Sequence, residues 1–240
     1  MILQDMEKSM NFYGRLYRMS CFLIRRFYPT YRIVDKERLA DPSVYLCRHF
    51  NTQGLFMTIP WLPGKIHTWS LHLYHDRKAC FRHMMDYTLT ERFGWPKWKA
   101  WLASIPIASF LQALMRSARA IPVYRNSMQI MKTYKMSLSA LKNGESVLIF
   151  PDREYTSMND EIGGMYEGFL MIDRLYFRET GRHIPFVPVY ADAQTRTIQV
   201  GMPILFSGDA GDRTERRRVF NAIRSQLSGA NNGSNRQAES

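Results

Sequence analysis

Two rhythms of apolar and polar residues alternate along this chain. Met6, Met10, Tyr13, Tyr17 and Cys21 recur at three- or four-residue steps, with Arg15, Arg18, Arg25 and Arg26 among them. That spacing predicts an amphipathic helix over residues 1–30, stopped by Tyr28-Pro29-Thr30. Tyr31 to Asp35 and Ser43 to Arg48 then read as strands, and Leu55 to Leu62 as a helix. His67 to Tyr74 alternates cleanly and predicts another strand. Lys78 to Phe93 and Lys97 to Arg116 are helical, the second interrupted at Pro106. Ala118 to Tyr124 is a short strand that Pro122 assigns to an edge or a bulge. A helix from Ser127 to Lys142, N-capped by Ser127 and ended by Asn143-Gly144, leads into a buried strand from Ser146 to Phe150. Met165 to Glu179 predicts a helix ended by Gly181, and Ile184 to Tyr190 and Thr197 to Val200 predict strands.

Strands alternating with helices of this length predict an α/β fold: a mostly parallel central sheet flanked by helices, preceded by the amphipathic N-terminal segment. The expected organisation is that segment over residues 1–30, one α/β domain over 31–227, and a tail over 228–240. Gly, Asn, Ser and Gln dominate the tail, a composition that predicts disorder. There is no internal repeat.

Composition narrows the partners. Across 240 residues, Lys+Arg 33 against Asp+Glu 21 give a net charge of +12. Such a balance favours an anionic partner: a membrane surface, a nucleic acid or a phosphate-bearing substrate. Cys21, Cys47 and Cys80 are widely spaced and odd in number, which argues against a disulfide framework and for a reducing compartment. No apolar run reaches the ~20 residues of a spanning helix. Met1-Ile2-Leu3-Gln4-Asp5 lacks the pattern of a signal peptide. The expectation is a soluble or peripheral protein, with the arginine- and aromatic-rich first helix either in an anionic membrane interface or packed on the domain.

The residue with most chemical content is His49. It closes the apolar run Ser43 to Arg48 and opens the polar stretch Phe50-Asn51-Thr52-Gln53-Gly54. Ligands of open α/β sheets bind outside the carboxyl ends of the strands, and a histidine there titrates near neutrality, as a general base must. Three further segments follow in order. Arg119-Ala120-Ile121-Pro122-Val123-Tyr124-Arg125 is a strand delivering an arginine. Val147-Leu148-Ile149-Phe150-Pro151-Asp152 is a buried strand ending in a proline and a carboxylate. Ile184-Pro185-Phe186-Val187-Pro188-Val189-Tyr190 is a strand bracketed by prolines.

This order resembles the glycerophospholipid acyltransferase family, whose pattern is a His-x4-Asp box, an arginine strand, FPEGTRS and a proline-bracketed strand. The resemblance covers residues 43 to 190. It implies direct acyl transfer from acyl-CoA or acyl carrier protein to a hydroxyl of a lysophospholipid or related acceptor. His49 would be the base, and neither a cofactor nor a metal is needed. It further implies an acceptor site that includes Asn51, Phe150, Pro151, Arg125 and Arg153, and a peripheral location at the cytoplasmic membrane face. The oxyanion would take backbone N–H groups near the helix after His49.

The departures are as specific as the matches. The aspartate of His-x4-Asp corresponds to Gly54, which cannot orient an imidazole. Asp152 stands where FPEG has Glu, and Arg153, Glu154 and Tyr155 where the family has Gly, Thr and Arg. Glu167 replaces a basic residue ahead of Gly168. Asp152 and Glu154 are the candidates to replace the missing aspartate, with Asp86 behind them. The alternative function is a lipid- or acyl-CoA-binding pseudoenzyme of the same fold.

Two other readings carry less. Arg216-Arg217-Arg218 and the net charge fit nucleic acid, but aromatics do not interleave with the basic residues, and no nucleic-acid partner is expected. His72, His75, Cys80 and His83 have a spacing that superficially suits zinc, yet a strand and a helix need not bring them together. The oligomeric state has no signature in the sequence.

Overall fold

The structure, a computed structural model, describes residues 11–49, 53–125, 127–152, 164–208 and 211–237. In chain order the elements are α1 (Arg15–Phe27), β1 (Arg32–Val34), β2 (Val44–Cys47), α2 (Gln53–Thr58), β3 (Ile66–Leu71), α3 (Arg77–His83), a π-helix (Met84–Arg92), α4 (Lys97–Ser117), β4 (Ile121–Val123), α5 (Ile130–Lys142), β5 (Ser146–Ile149), α6 (Met171–Thr180), β6 (Phe186–Asp192), β7 (Thr197–Val200) and α7 (Arg213–Gln237). Short 3-10 turns stand at Lys36–Arg38, His72–His75 and Gly168–Leu170. The chain divides into two compact units, one of residues 1–22 with 67–136 and a larger one of residues 23–66 with 137–240. The crossings at residues 22, 66 and 136 carry no mark in the hydrophobic pattern.

The larger unit holds the strands in the order β1-β7-β6-β2-β5. All neighbours are parallel except β6 and β7, a hairpin whose register pairs Val189 with Val200. Asp192 Oδ1 shapes its turn by accepting from the Gln194 N–H at 2.8 Å. Every residue of β2 and β5 is buried, the signature of parallel strands covered on both faces. Tyr45, Leu148, Val187, Val189, Ile198 and Val200 form the centre of the core, and α7 packs on β6 through its unit. This is the α/β fold, with a mostly parallel sheet and flanking helices, that the alternation of elements predicts. Helix α7 is continuous to Gln237, well into the stretch whose composition predicts disorder.

In the smaller unit β3 and β4 are parallel, pairing Ser70 with Pro122. β4 is the last strand of its sheet, the edge position that Pro122 requires. Cys80, Met84 and Ala108 join α3, the π-helix and α4.

Several elements differ from the sequence expectation, each for a contact remote in sequence or a local bond. The first helix does not run unbroken: it starts again at Arg15 because the Gly14 N–H donates to the Ser117 carbonyl at 2.8 Å. A β-carbon on Gly14 would stand 2.5 Å from Ser117 Oγ, so a side chain there would displace that hydroxyl. β3 stops at Leu71, where His72 Nδ1 meets the Val123 carbonyl and His75 Nε2 is hydrogen-bonded with Ser70 Oγ at 2.7 Å. Helix α4 runs through Pro106 without interruption, because that residue is exposed and water can take the carbonyl it frees. Met165 does not begin a helix; it forms an antiparallel bridge to Asp152, and the α-helix waits until Met171.

Candidate active site

Strands β2 and β5 are parallel neighbours with Leu46 opposite Ile149, so their carboxyl ends emerge together. Cys47-Arg48-His49 therefore lies beside Phe150-Pro151-Asp152, although the two segments are about a hundred residues apart in the sequence. The His49 N–H donates to Asp152 Oδ2 at 2.5 Å. The Phe150 ring stands edge-on to the imidazole, with centroids 5.3 Å apart and planes at 69°. Two backbone links close the far side of the turn: the Asp152–Met165 bridge, and the Tyr166 N–H donating to the Pro151 carbonyl at 2.9 Å. The carboxylate is thus held on a tied-down turn, which fixes the main chain of His49.

The electrostatics add a residue that sequence reasoning missed. Arg48 is buried, with 5% of its surface exposed, and its charge acts on Asp152. Burial pushes the Asp152 carboxyl above its ordinary value, while the His49 N–H and Arg48 pull it down. A charged residue between Cys47 and His49 at the end of an apolar strand was the available signal, since such a charge must be satisfied inside the fold. Cys47 is chemically quiet: burial pushes its thiol up to about 12, and its Sγ lies 3.3 Å from Thr58 Oγ1. The thiol stays protonated at neutral pH and is no nucleophile.

Gly54 proves to be a packing position. Its N–H donates to the His49 carbonyl at 3.1 Å. A β-carbon there would stand 2.3 Å from the Arg48 carbonyl oxygen and 2.8 Å from that of His49. Any side chain at residue 54 would have to displace the backbone that carries His49. The same bond commits the Gly54 N–H, so that group is not the oxyanion donor expected at the start of α2.

No protein-family model matches the sequence, and no curated protein matches it either. A solved structure does match the fold. It is the crystal structure of the 1-acyl-sn-glycerophosphate acyltransferase PlsC from Thermotoga maritima, with a TM-score of 0.51 at 10% identity, covering 89% of this chain and 78% of that one. At this identity the likeness to PlsC is one of fold, and it spans both units of the chain.

The remaining candidates fall in different places. Arg125 belongs to the smaller unit, following β4, where the Tyr124 N–H is held by Thr133 Oγ1 at 3.4 Å and that hydroxyl donates to the Pro122 carbonyl at 2.7 Å. Asn51, Arg153, Glu154 and Tyr155 lie outside the described residues. Glu167 is exposed just before the 3-10 turn at Gly168, and Asp86 is exposed on the π-helix of the smaller unit. Of the zinc-like quartet, His72 and His75 are engaged by the Val123 carbonyl and Ser70, and among the described residues no group of three or more His, Cys, Asp or Glu side chains is placed to hold a metal ion.

Proposed function

We propose that this chain is an acyltransferase that moves a fatty acyl group from acyl-CoA or acyl carrier protein to a hydroxyl of a lysophospholipid or related glycerolipid. The observation that carries the reading is the His49 N–H on Asp152 Oδ2 at the paired ends of β2 and β5. Its support is that this occurs in a fold shared with PlsC. In this reading the His49 imidazole takes the proton of the acceptor hydroxyl as its oxygen attacks the thioester carbonyl. The tetrahedral adduct collapses, the C–S bond breaks, and the imidazolium returns the proton to the departing thiolate. A base of this kind contributes roughly 10²–10⁴-fold, and positioning of the two substrates contributes more. Asp152 is a positioning residue that fixes the main chain of His49. Arg125 and Arg153 are proposed to hold an acceptor phosphate, where a guanidinium matches the oxygens bidentately.

A location at the cytoplasmic membrane face belongs to the same reading. Met19, Phe22, Leu23 and Phe27 form an exposed apolar stripe on α1, with Arg18 and Arg26 beside it. Such a helix suits an anionic bilayer surface.

One observation favours a second reading, a lipid- or acyl-CoA-binding protein without turnover: position 54, aspartate in the family pattern, has no room for any side chain. The purified full chain incubated with acyl-CoA and 1-acylglycerol 3-phosphate, followed by mass spectrometry of the lipids, separates the two. The acyltransferase reading expects a diacylated product that disappears in His49→Ala while the circular dichroism stays unchanged. Acyl-CoA binding without product would establish the second reading instead. Product formation that survives in His49→Ala would remove His49 as the base.

A further inference from the structure

Helix α4 is packed inside out. It buries Ala100, Ser104 and Ala108, residues one turn apart, and turns its bulk outward. Trp98 is 64% exposed, Trp101 50%, Leu102 55% and Ile105 46%, and Trp95 in the preceding turn is 44% exposed. Positions 98, 101, 102 and 105 share one face of a helix. A helix folded only for its own core would do the reverse, since each tryptophan can bury roughly 150–250 Å². Isolated exposed apolar residues are ordinary, but a contiguous stripe led by tryptophans marks an interaction surface.

The charge around the stripe says what it meets. Lys97, Lys99 and Arg92 rim its N-terminal end, with Lys99 Nζ 5.4 Å from the Trp98 ring centroid and Arg92 5.9 Å from that of Phe93. No acidic residue occurs in the sequence between Glu91 and Glu145, a stretch that also contains Arg116, Arg119 and Arg125. Tryptophan with lysine and arginine, with Glu91 beside Arg92 the nearest carboxylate in the sequence, is the chemistry of the headgroup region: indole rings sit between the apolar and wet layers, and cations meet lipid phosphates. No helix among the described residues is long and apolar enough to cross a membrane, so the contact would be interfacial.

We propose that this face of α4 docks on an anionic phospholipid bilayer, with Trp95, Trp98 and Trp101 at headgroup depth and Lys97, Lys99 and Arg92 on the phosphates. The surface is distinct from the α1 stripe and does not depend on acyl transfer, so it is tested by lipid binding alone. Full-length protein is sedimented with phosphatidylcholine vesicles with and without phosphatidylglycerol, and its tryptophan emission is followed with brominated phosphatidylcholine. The wild type is expected to partition onto the anionic vesicles and to be quenched by the brominated lipid. Trp98→Ser/Trp101→Ser should lose about tenfold or more in partitioning together with most of the quenching. Met202→Ser, which removes an exposed apolar residue elsewhere, should change neither. Phe22→Ser/Phe27→Ser separates the α1 contribution. A Trp98/Trp101 variant that binds vesicles like the wild type overturns the proposal, even if the α1 variant is impaired. So does a wild-type dimer in solution that this variant abolishes, because the face would then be covered by a second copy of the chain.

Discussion

Gly54 lies against the carbonyl of His49: its N–H donates to that oxygen at 3.1 Å, and a β-carbon on residue 54 would stand 2.8 Å from the same atom. Residue 54 is a close approach of backbone to backbone. Replacing it should move the turn that carries His49. Gly54→Ala is expected to cost about 1–3 kcal/mol, read as a lower urea midpoint, because an extra carbon is forced into occupied space. Gly54→Asp should be at least as unstable and should transfer acyl groups no faster. A Gly54→Asp protein as stable as the wild type and more active would show that the turn can open.

Asp152 answers to two separate substitutions. Asp152→Ala removes the acceptor of the His49 N–H and a carboxylate within reach of the buried Arg48 charge, and should cost about 1–3 kcal/mol. Asp152→Asn retains an oxygen acceptor and should cost less, but it removes a titration. Burial raises the folded carboxyl above its ordinary value of 3.8, so the folded state holds the proton more tightly than the unfolded chain. That contribution is fully present below 3.8 and is lost as pH rises through the folded value. Urea midpoints should therefore show the wild type losing stability relative to Asp152→Asn as pH rises above about 4. Parallel pH profiles would contradict the assignment.

His75 predicts the opposite slope. Burial, with the charges of His72 and Arg116, pulls its imidazole from 6.5 down to about 4. The unfolded chain takes up the proton first, so this contribution is present above 6.5 and is lost as pH falls through about 4. In His75→Gln, the decline in stability across that window should shrink by on the order of 2 kcal/mol, allowing for solvent screening. Comparing each variant with the wild type at every pH separates the His75 slope from that of Asp152.

Ser117 caps a helix on which it does not lie. The Tyr17 N–H, in the first turn of α1, donates to Ser117 Oγ at 2.8 Å, while the Ser117 carbonyl takes the Gly14 N–H. Ser117→Ala should cost about 0.5–2 kcal/mol, the range for losing an N-cap acceptor. Amide hydrogen exchange should show faster exchange confined to the start of α1. Unchanged protection there would mean that the hydroxyl contributes nothing to the helix.

The strands of the larger unit were readable from the sequence to within two residues, whereas its longest helix, α7, was not foreseen. β2, β5 and β7 are short and uniformly apolar or alternating, and their local pattern is also their burial pattern. Where reading failed, the deciding contact was long-range or the helical geometry changed without a change of period. Gly14 breaks the first helix because of Ser117, a hundred residues away. The π-helix at Met84–Arg92 carries residues that suit an α-helix equally well. The sequence predicted a helix over Lys97 to Arg116 but not which face it buries, and only the packing of Ala100, Ser104 and Ala108 shows Trp98 and Trp101 facing out.

By itself the sequence determined that a histidine and a carboxylate each end an apolar strand, because strand periodicity and turn chemistry are local. It also confined Pro122 to an edge or a bulge, since a proline cannot donate to a further strand. Only the tertiary structure decided that Asp152 meets His49 at its N–H, that Arg48 is buried beside them, and that residue 54 must be glycine. Those facts rest on the parallel register of β2 on β5, which sets atoms a few ångströms apart when their residues are remote in the chain.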